Sequence, residues 1–464
     1  MVLLTINNDL SLGLKQRRDK LAQLFKHPVI LWSGSPLRRN FSANKFPFRA
    51  SSHFLYFAGM PLPNAAIFLQ DGRLELYMDD APPSDTLWHG ESSSRAEIGE
   101  IIGADAVYPL GELSQKTKDA ATIAIQDNIT YQQQCELLGR PVSLSHEAAG
   151  IDLELARSIV KLRSRHDDLA LQELRSSAEV SVMAHKAGMA ATPKAKTEAE
   201  IRGAMEGVII GRNMTCAYNS IVTVRGEVLH NETYQNSLQP GDLLLADVGA
   251  ETPNGWAADI TRTWAVSGKF SGTQKDIYEI VLKAHDDCIA KIKPGVEYRD
   301  IHLLAGEIIA QGLIDLGILK GNVSDLVAMD AHALFFPHGV GHLLGLDVHD
   351  MEDLGDVAGY EAGRSRSDRF GLGYLRLNRP LQEGMAITIE PGFYQVPAIL
   401  NDRNFRNKYG DVINWDRLAQ FEDVRGIRIE DDVLVTNSGA EVLTQDLPTK
   451  VEDIENLVGG FGGL

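Results

Sequence analysis

GDLLLADVGAETPNGWAADITRTW, from Gly241 to Trp264, is the stretch on which the reading of this chain turns. LLLADVG is an apolar strand run, Pro253-Asn254-Gly255 is turn chemistry and WAADITRTW is a second strand, so the whole predicts a β-hairpin. Asp247 and Asp259 each lie about six residues from the turn and are expected to face one another across it. An aspartate in mid-strand is disfavoured by propensity and, once buried, carries a desolvation cost unless a cation or hydrogen bonds compensate. Two at matched positions ask for a cation. On this stretch alone the alternative stays open, that one or both are exposed or accept backbone hydrogen bonds near the turn.

Working outward, FFPHGVGHLLGLDVHD (Phe335 to Asp350) holds three of the thirteen histidines, His338, His342 and His349, among glycines at 339, 341 and 345 that let the backbone come close to a site. Neutral imidazole serves as a metal ligand or a proton shuttle. Glu390 ends the strand-like MAITIE just before Pro391-Gly392, and Glu430 sits within GIRIEDDVLVT. With Ile427 and Ile429 pointing into the core, Arg428 and Glu430 share the opposite face. Asp247, Asp259, His342, Glu390 and Glu430 together make four carboxylates and one imidazole, a set that repels itself unless cations intervene. Two divalent ions would cancel it. Oxygen-rich ligation with one nitrogen suits a hard or borderline metal such as Mn²⁺, and paired ions activate water and polarise a carbonyl.

Composition bounds the rest. The 464 residues carry 45 Lys+Arg against 63 Asp+Glu, a net charge of −18, which argues against nucleic acid and against an anionic membrane surface as partners. The apolar run at Val2 to Leu4 is too short for a secretory signal, and no apolar stretch approaches the ~20 residues of a membrane span. Cys135, Cys216 and Cys288 are too scattered for a disulfide framework or a thiolate metal site. A reducing, cytoplasmic location is expected.

The chain divides by texture into an α/β domain over residues 1–165 and a second domain over 166–464. In the first, VILWSGSP (29–36), HFLYFAG (53–59), AAIFLQDG (65–72) and LELYMDD (74–80) read as strands of a mixed sheet, and TKDAATIAIQD (117–127) as a helix. Helical periodicity then dominates from about Leu153 to Ala190, where Thr192-Pro193 breaks it, and returns over 198–210 and 275–292.

LLLADVGAE, AADITRTW, PHGVGHLLGLDVHD, TIEPGFY and GIRIEDD occur in the order found in the pita-bread (methionine aminopeptidase-like) metallopeptidases, and within them the sequence resembles the aminopeptidase P and prolidase branch. FPFRASSHFLYFAG (46–59) is similar to the amino-terminal domain of aminopeptidases P. The resemblance implies an α+β architecture: a mixed-sheet α/β domain, then a pita-bread catalytic domain with a curved antiparallel sheet backed by helices. It implies two metal ions, with Asp247 on one, Asp259 and Glu430 bridging, and His342 and Glu390 completing the shell. Glu390 would also take the proton of the attacking water, and His230 and His349 would contact the scissile carbonyl and the substrate amide. His338, Tyr394 and Arg428 match residues lining or bracing the proline pocket, with Arg428 in the catalytic set. Implied substrates are short peptides with proline at the second position, and the implied assembly is a homodimer or homotetramer. The 48-residue step from His342 to Glu390 resembles prolidases, where an arginine at the place of Arg376 binds the dipeptide carboxylate. Aminopeptidase P is the expected activity, prolidase the alternative, and a non-catalytic peptide-binding module the remote one.

Overall fold

The computed structural model describes residues 8–144 and 147–460; the Val2 to Leu4 run lies outside them. The described residues form two compact units, one running from residue 8 to 169 with 253–255 and 351–358, the other of 170–252, 256–350 and 359–460.

In the first unit, Val29–Trp32, Ala66–Gln70 and Arg73–Tyr77 form consecutive antiparallel pairs, and Ala106–Tyr108 adds to the last in parallel, giving a mixed four-stranded sheet. Ile30, Trp32, Ala66, Phe68 and Tyr77 build its core together with Leu113 and Ile125. Two expectations fail here. HFLYFAG is not a strand but the helix Ser52–Ala58, every residue buried, ending on Gly59 at φ 73°. A short run that is apolar on all sides has no periodicity to tell strand from buried helix, and the left-handed glycine that ends the helix was the one local signal. The 117–127 stretch is not a helix; it runs extended beside the first strand, with Ala121 bridging Val29 in parallel and accepting from the Ile30 amide. Its Thr122, Ile123 and Ile125 carry β-branched side chains that suit this better than a helix.

The second unit is built of antiparallel strand pairs backed by long helices. Leu243–Asp247 pairs with both Ile221–Thr223 and Thr261–Ala265. Ala386–Ile389 pairs with Asp431–Val435, and Gly392–Tyr394 with Gly426–Arg428. The helices include Asp168–Ala191, Glu198–Gly211, Gly272–Lys291 and Tyr298–Asp315. The predicted periodicity from Leu153 thus resolves into two helices, the earlier one being Gly150–Arg163. A core of Val222, Leu244, Ala246, Ile260 and Trp264 packs the hairpin against Ile201, Met205 and Ile209 of the Glu198–Gly211 helix. Among the described residues no helix is long and apolar enough to cross a membrane.

Candidate metal centre

The hairpin forms, but its register differs from the expected one. Asp247 stands opposite Thr261, and Asp259 lies two residues nearer the turn, just before its strand. Because side chains alternate, an offset of two keeps both carboxylates on one face. Their link is a residue that sequence reasoning missed: the Tyr218 hydroxyl lies 2.6 Å from Asp247 Oδ1 and 2.7 Å from Asp259 Oδ1. One hydroxyl proton cannot serve two carboxylate oxygens at once, so the pair has more acceptors than donors.

The remaining residues arrive from three other segments. Glu430, 1% exposed, accepts from the Thr261 hydroxyl at 2.6 Å, and its amide donates to the Thr261 carbonyl, which fastens the carboxyl-terminal strand to the hairpin. His342 follows Gly341, and its Nδ1 lies 3.0 Å from the Leu343 carbonyl. A carbonyl only accepts, so Nδ1 carries a proton, and Nε2 faces the carboxylates, 3.3 Å from Asp259 Oδ2 and 3.5 Å from Glu390 Oε1. Three groups have ligand atoms mutually within 4.8 Å: Asp247, Asp259 and Glu430; His342, Glu390 and Glu430; and Asp259, His342 and His349. They share members, as the donors of two neighbouring ions would. His349 stands edge-on to His342, with ring centroids 4.2 Å apart.

Electrostatics point the same way. Burial pushes the Asp247 carboxyl up to about 6, helped by Asp259 and opposed by Arg428. Burial likewise takes Glu390 up to about 8, with Asp259 adding to it against Arg428, and carries Glu430 well above the carboxylate range with Asp259 and Glu390 adding to it. For Asp259 burial is outweighed by the hydrogen bond and charge of His342, and the net direction is down. Arg428 is the cation among these acids: Nη2 lies 2.5 Å from Asp247 Oδ2, Nε donates to Thr261 Oγ1 at 2.9 Å and Nη1 to the Tyr394 hydroxyl at 3.1 Å. One guanidinium offsets one charge of four, and divalent cations fit the remainder.

These residues floor a cavity of about 350 Å³. Leu229, His230, Pro337, His338, His349, Tyr374, Arg366 and Arg376 complete its wall. Arg428 and Glu430 do share this face, whereas Ile427 and Ile429 are fully buried. His338 is held by two bonds: Nδ1 donates to the Gly339 carbonyl at 2.7 Å, and Nε2 accepts from the Tyr394 hydroxyl at 2.8 Å. Burial and the nearby Arg428 push its pKa down to about 3, so it stays neutral. Tyr394 itself is fully buried and braces His338 and Arg428 through its hydroxyl, the bracing one of the two places that the resemblance offered it. Burial, then Arg428 and Arg376, lower the His230 pKa. Beyond Tyr218, sequence reasoning also missed Arg366 and Tyr374, which sit in a stretch without strand or helix periodicity.

Comparison with known proteins now decides the family. The model of metallopeptidase family M24 matches residues 172–437, and that of the aminopeptidase P amino-terminal domain matches residues 14–128. The chain belongs to metallopeptidase family M24. It is 35% identical over 422 residues to a probable Xaa-Pro aminopeptidase of Fusarium vanettenii, covering 89% of this chain and 88% of that protein. It is 31% identical to the Xaa-Pro dipeptidase of Homo sapiens, covering 98% of this chain and 95% of that one. Among solved structures, the aminopeptidase PepP of Pseudomonas aeruginosa superposes with a TM-score of 0.79 at 29% identity, over 97% of this chain and 98% of that one. As an M24 member the chain has the pita-bread fold in its second domain, following an aminopeptidase P-type first domain.

Proposed function

We propose that this protein hydrolyses the bond between an amino-terminal residue and a following proline, as an Xaa-Pro aminopeptidase. The observation that carries the reading is the buried cluster of four carboxylates and His342 on the floor of a cavity whose wall holds His230, His338 and His349. Asp247, Asp259, His342, Glu390 and Glu430 would hold two divalent ions, with Mn²⁺ the best match to an oxygen-rich donor set. Bound there, the ions supply Lewis acidity and a water made nucleophilic at neutral pH.

The chain's own groups do the rest. Glu390 receives the proton of the attacking water on its carboxylate. His230 and His349 both line the cavity, where N–H donors can steady the oxygen of the scissile carbonyl as negative charge builds on it. His338, kept neutral and oriented by Gly339 and Tyr394, presents a flat apolar ring for the proline, whose tertiary amide and fixed φ defeat peptidases that bind extended backbone. Arg428 holds Asp247 in place and shares in the catalytic set.

A second reading, Xaa-Pro dipeptidase, is favoured by Arg366 and Arg376 on the same cavity wall, where a guanidinium can pair with the carboxylate of a dipeptide. The three cysteines, all free, agree with a cytoplasmic location, and a homodimer or homotetramer is proposed from the family resemblance. The test compares release of amino acid from an Xaa-Pro dipeptide, an Xaa-Pro-Xaa tripeptide and a longer peptide by chelated enzyme reloaded with Mn²⁺. Cleavage of all three, with Arg376→Ala reducing the dipeptide rate alone, is expected. Cleavage of the dipeptide only would make the protein a dipeptidase, and none, with metal bound, would leave a peptide-binding module.

A further inference from the structure

His230 reaches the cavity from a segment with no ladder to hold it: from Val224 to Asn236 the backbone is turn and coil. The ends of that segment converge on one carboxylate. Glu198, fully buried in the first turn of the Glu198–Gly211 helix, accepts from the Val224 amide at 2.8 Å and the Thr223 hydroxyl at 3.0 Å on Oε1. Its Oε2 accepts from the Asn236 amide at 3.1 Å, and the Asn236 side-chain amide lies 3.0 Å from both oxygens. A carboxylate near a helix start ordinarily caps its own helix, but these oxygens reach across to the segment. The helix N-terminus still favours their charge.

The middle is tied to the same point. A carboxylate only accepts, so the Thr223 hydroxyl donates to Glu198 and is left to accept from the Arg225 amide at 2.9 Å and from Asn231 Nδ2 at 2.7 Å. Asn231 is the residue after His230, and its Oδ1 accepts from the Thr233 amide at 3.0 Å and the Thr233 hydroxyl at 2.8 Å. Every polar atom along the line from Glu198 through Thr223 to Asn231 is committed. That directional line ends on the neighbour of an imidazole that is itself exposed.

We infer that Glu198, acting through Thr223 and Asn231, is a positioning residue that holds His230 at the substrate. The inference rests on the role given to His230 above. Displacement of a catalytic group by about 1 Å can cost as much as 10²-fold in rate, so a buried anchor of this kind shows up in turnover.

The test is a double-mutant cycle with metal-loaded enzyme and an Xaa-Pro tripeptide. His230→Ala is combined with Thr223→Val, which keeps the shape and cuts the line, and with Glu198→Gln, which keeps one acceptor oxygen. Thr223→Val is expected to lower kcat about tenfold with KM and metal content unchanged, and to have under about twofold effect once His230 is alanine. The His230 ring resonances in a ¹⁵N-histidine-labelled sample should broaden or shift in Thr223→Val and Glu198→Gln, a readout that needs no turnover. Equal losses with and without His230, or unmoved ring resonances, would reduce Glu198 to a structural residue and leave the His230 assignment standing. A wild-type rate for His230→Ala would overturn that assignment and the inference with it.

Discussion

Tyr218 shows how much one side chain outside any motif contributes. Its hydroxyl touches both hairpin aspartates, and burial with the nearby Asp247 and Asp259 charges pushes its pKa far upward, so it is a permanent donor. Orienting hydrogen bonds of this kind are worth roughly 10–100-fold in metal affinity. Tyr218→Phe is therefore expected to weaken metal binding by roughly that factor, read by titrating chelated enzyme with Mn²⁺, while the circular dichroism spectrum stays that of the wild type. Asp247, Asp259, His342, Glu390 and Glu430 were legible in the sequence because each is a charged or ligating residue where an apolar one belongs. Tyr218 was not, since a tyrosine before a strand conflicts with nothing. Tyr394 was half legible: its presence near the site could be read, but that it braces through its hydroxyl depends on side-chain directions no spacing encodes.

Elements bring these residues together by close backbone approach. Gly341, at φ 151°, sits where a Cβ would overlap the Thr388 carbonyl oxygen and the Tyr298 hydroxyl, and it sets the path of the chain into His342. Gly341→Ala combines a strained backbone with an overlap in a packed interior, a cost of about 3 kcal/mol. A thermal midpoint lowered by about 5 °C or more, together with reduced metal content, is the expected outcome. At this scale the sequence was readable where periodicity or turn chemistry was strong, as in the hairpin and the helices at 198–211 and 272–291. It misled at Ser52–Ala58 and over 117–127, where burial on all sides or a short extended run joined to its neighbour by a single bridge leaves no period to count. The hairpin register was in reach as well: Asp247–Thr261 and Glu251–Ala257 share one register centred on Asn254, which lies seven residues after Asp247 but five before Asp259, so treating the two aspartates as equidistant from the turn misplaced them.

Across the whole molecule, the charge collected at the metal centre makes stability depend on what occupies it. In chelated enzyme Glu390 titrates near 8 and Asp247 near 6, both above the ordinary carboxylate range of about 4. A raised pKa means that the folded chain binds a proton the unfolded chain has released. That contribution to stability is fully present below about pH 4 and is lost as pH rises through 6 and then 8. The thermal midpoint of chelated enzyme should therefore fall between pH 6 and 8.5 by more than that of the Mn²⁺-loaded enzyme, and added metal should raise it most at the alkaline end. A midpoint that moves equally with pH in both forms would contradict this source of strain.

Glu430 belongs to two of the three groups of candidate ligands, yet it comes 183 positions after Asp247. On a ribosome adding about 5–20 residues per second, the hairpin emerges long before the strand that fastens to it. During that interval the growing chain exposes Asp247 and Asp259 without the carboxylate that completes their set. On the proposed ligand set the centre would be complete only once the Glu430 segment has emerged, and a fragment interrupted upstream of it would lack a carboxylate that two of the candidate groups share.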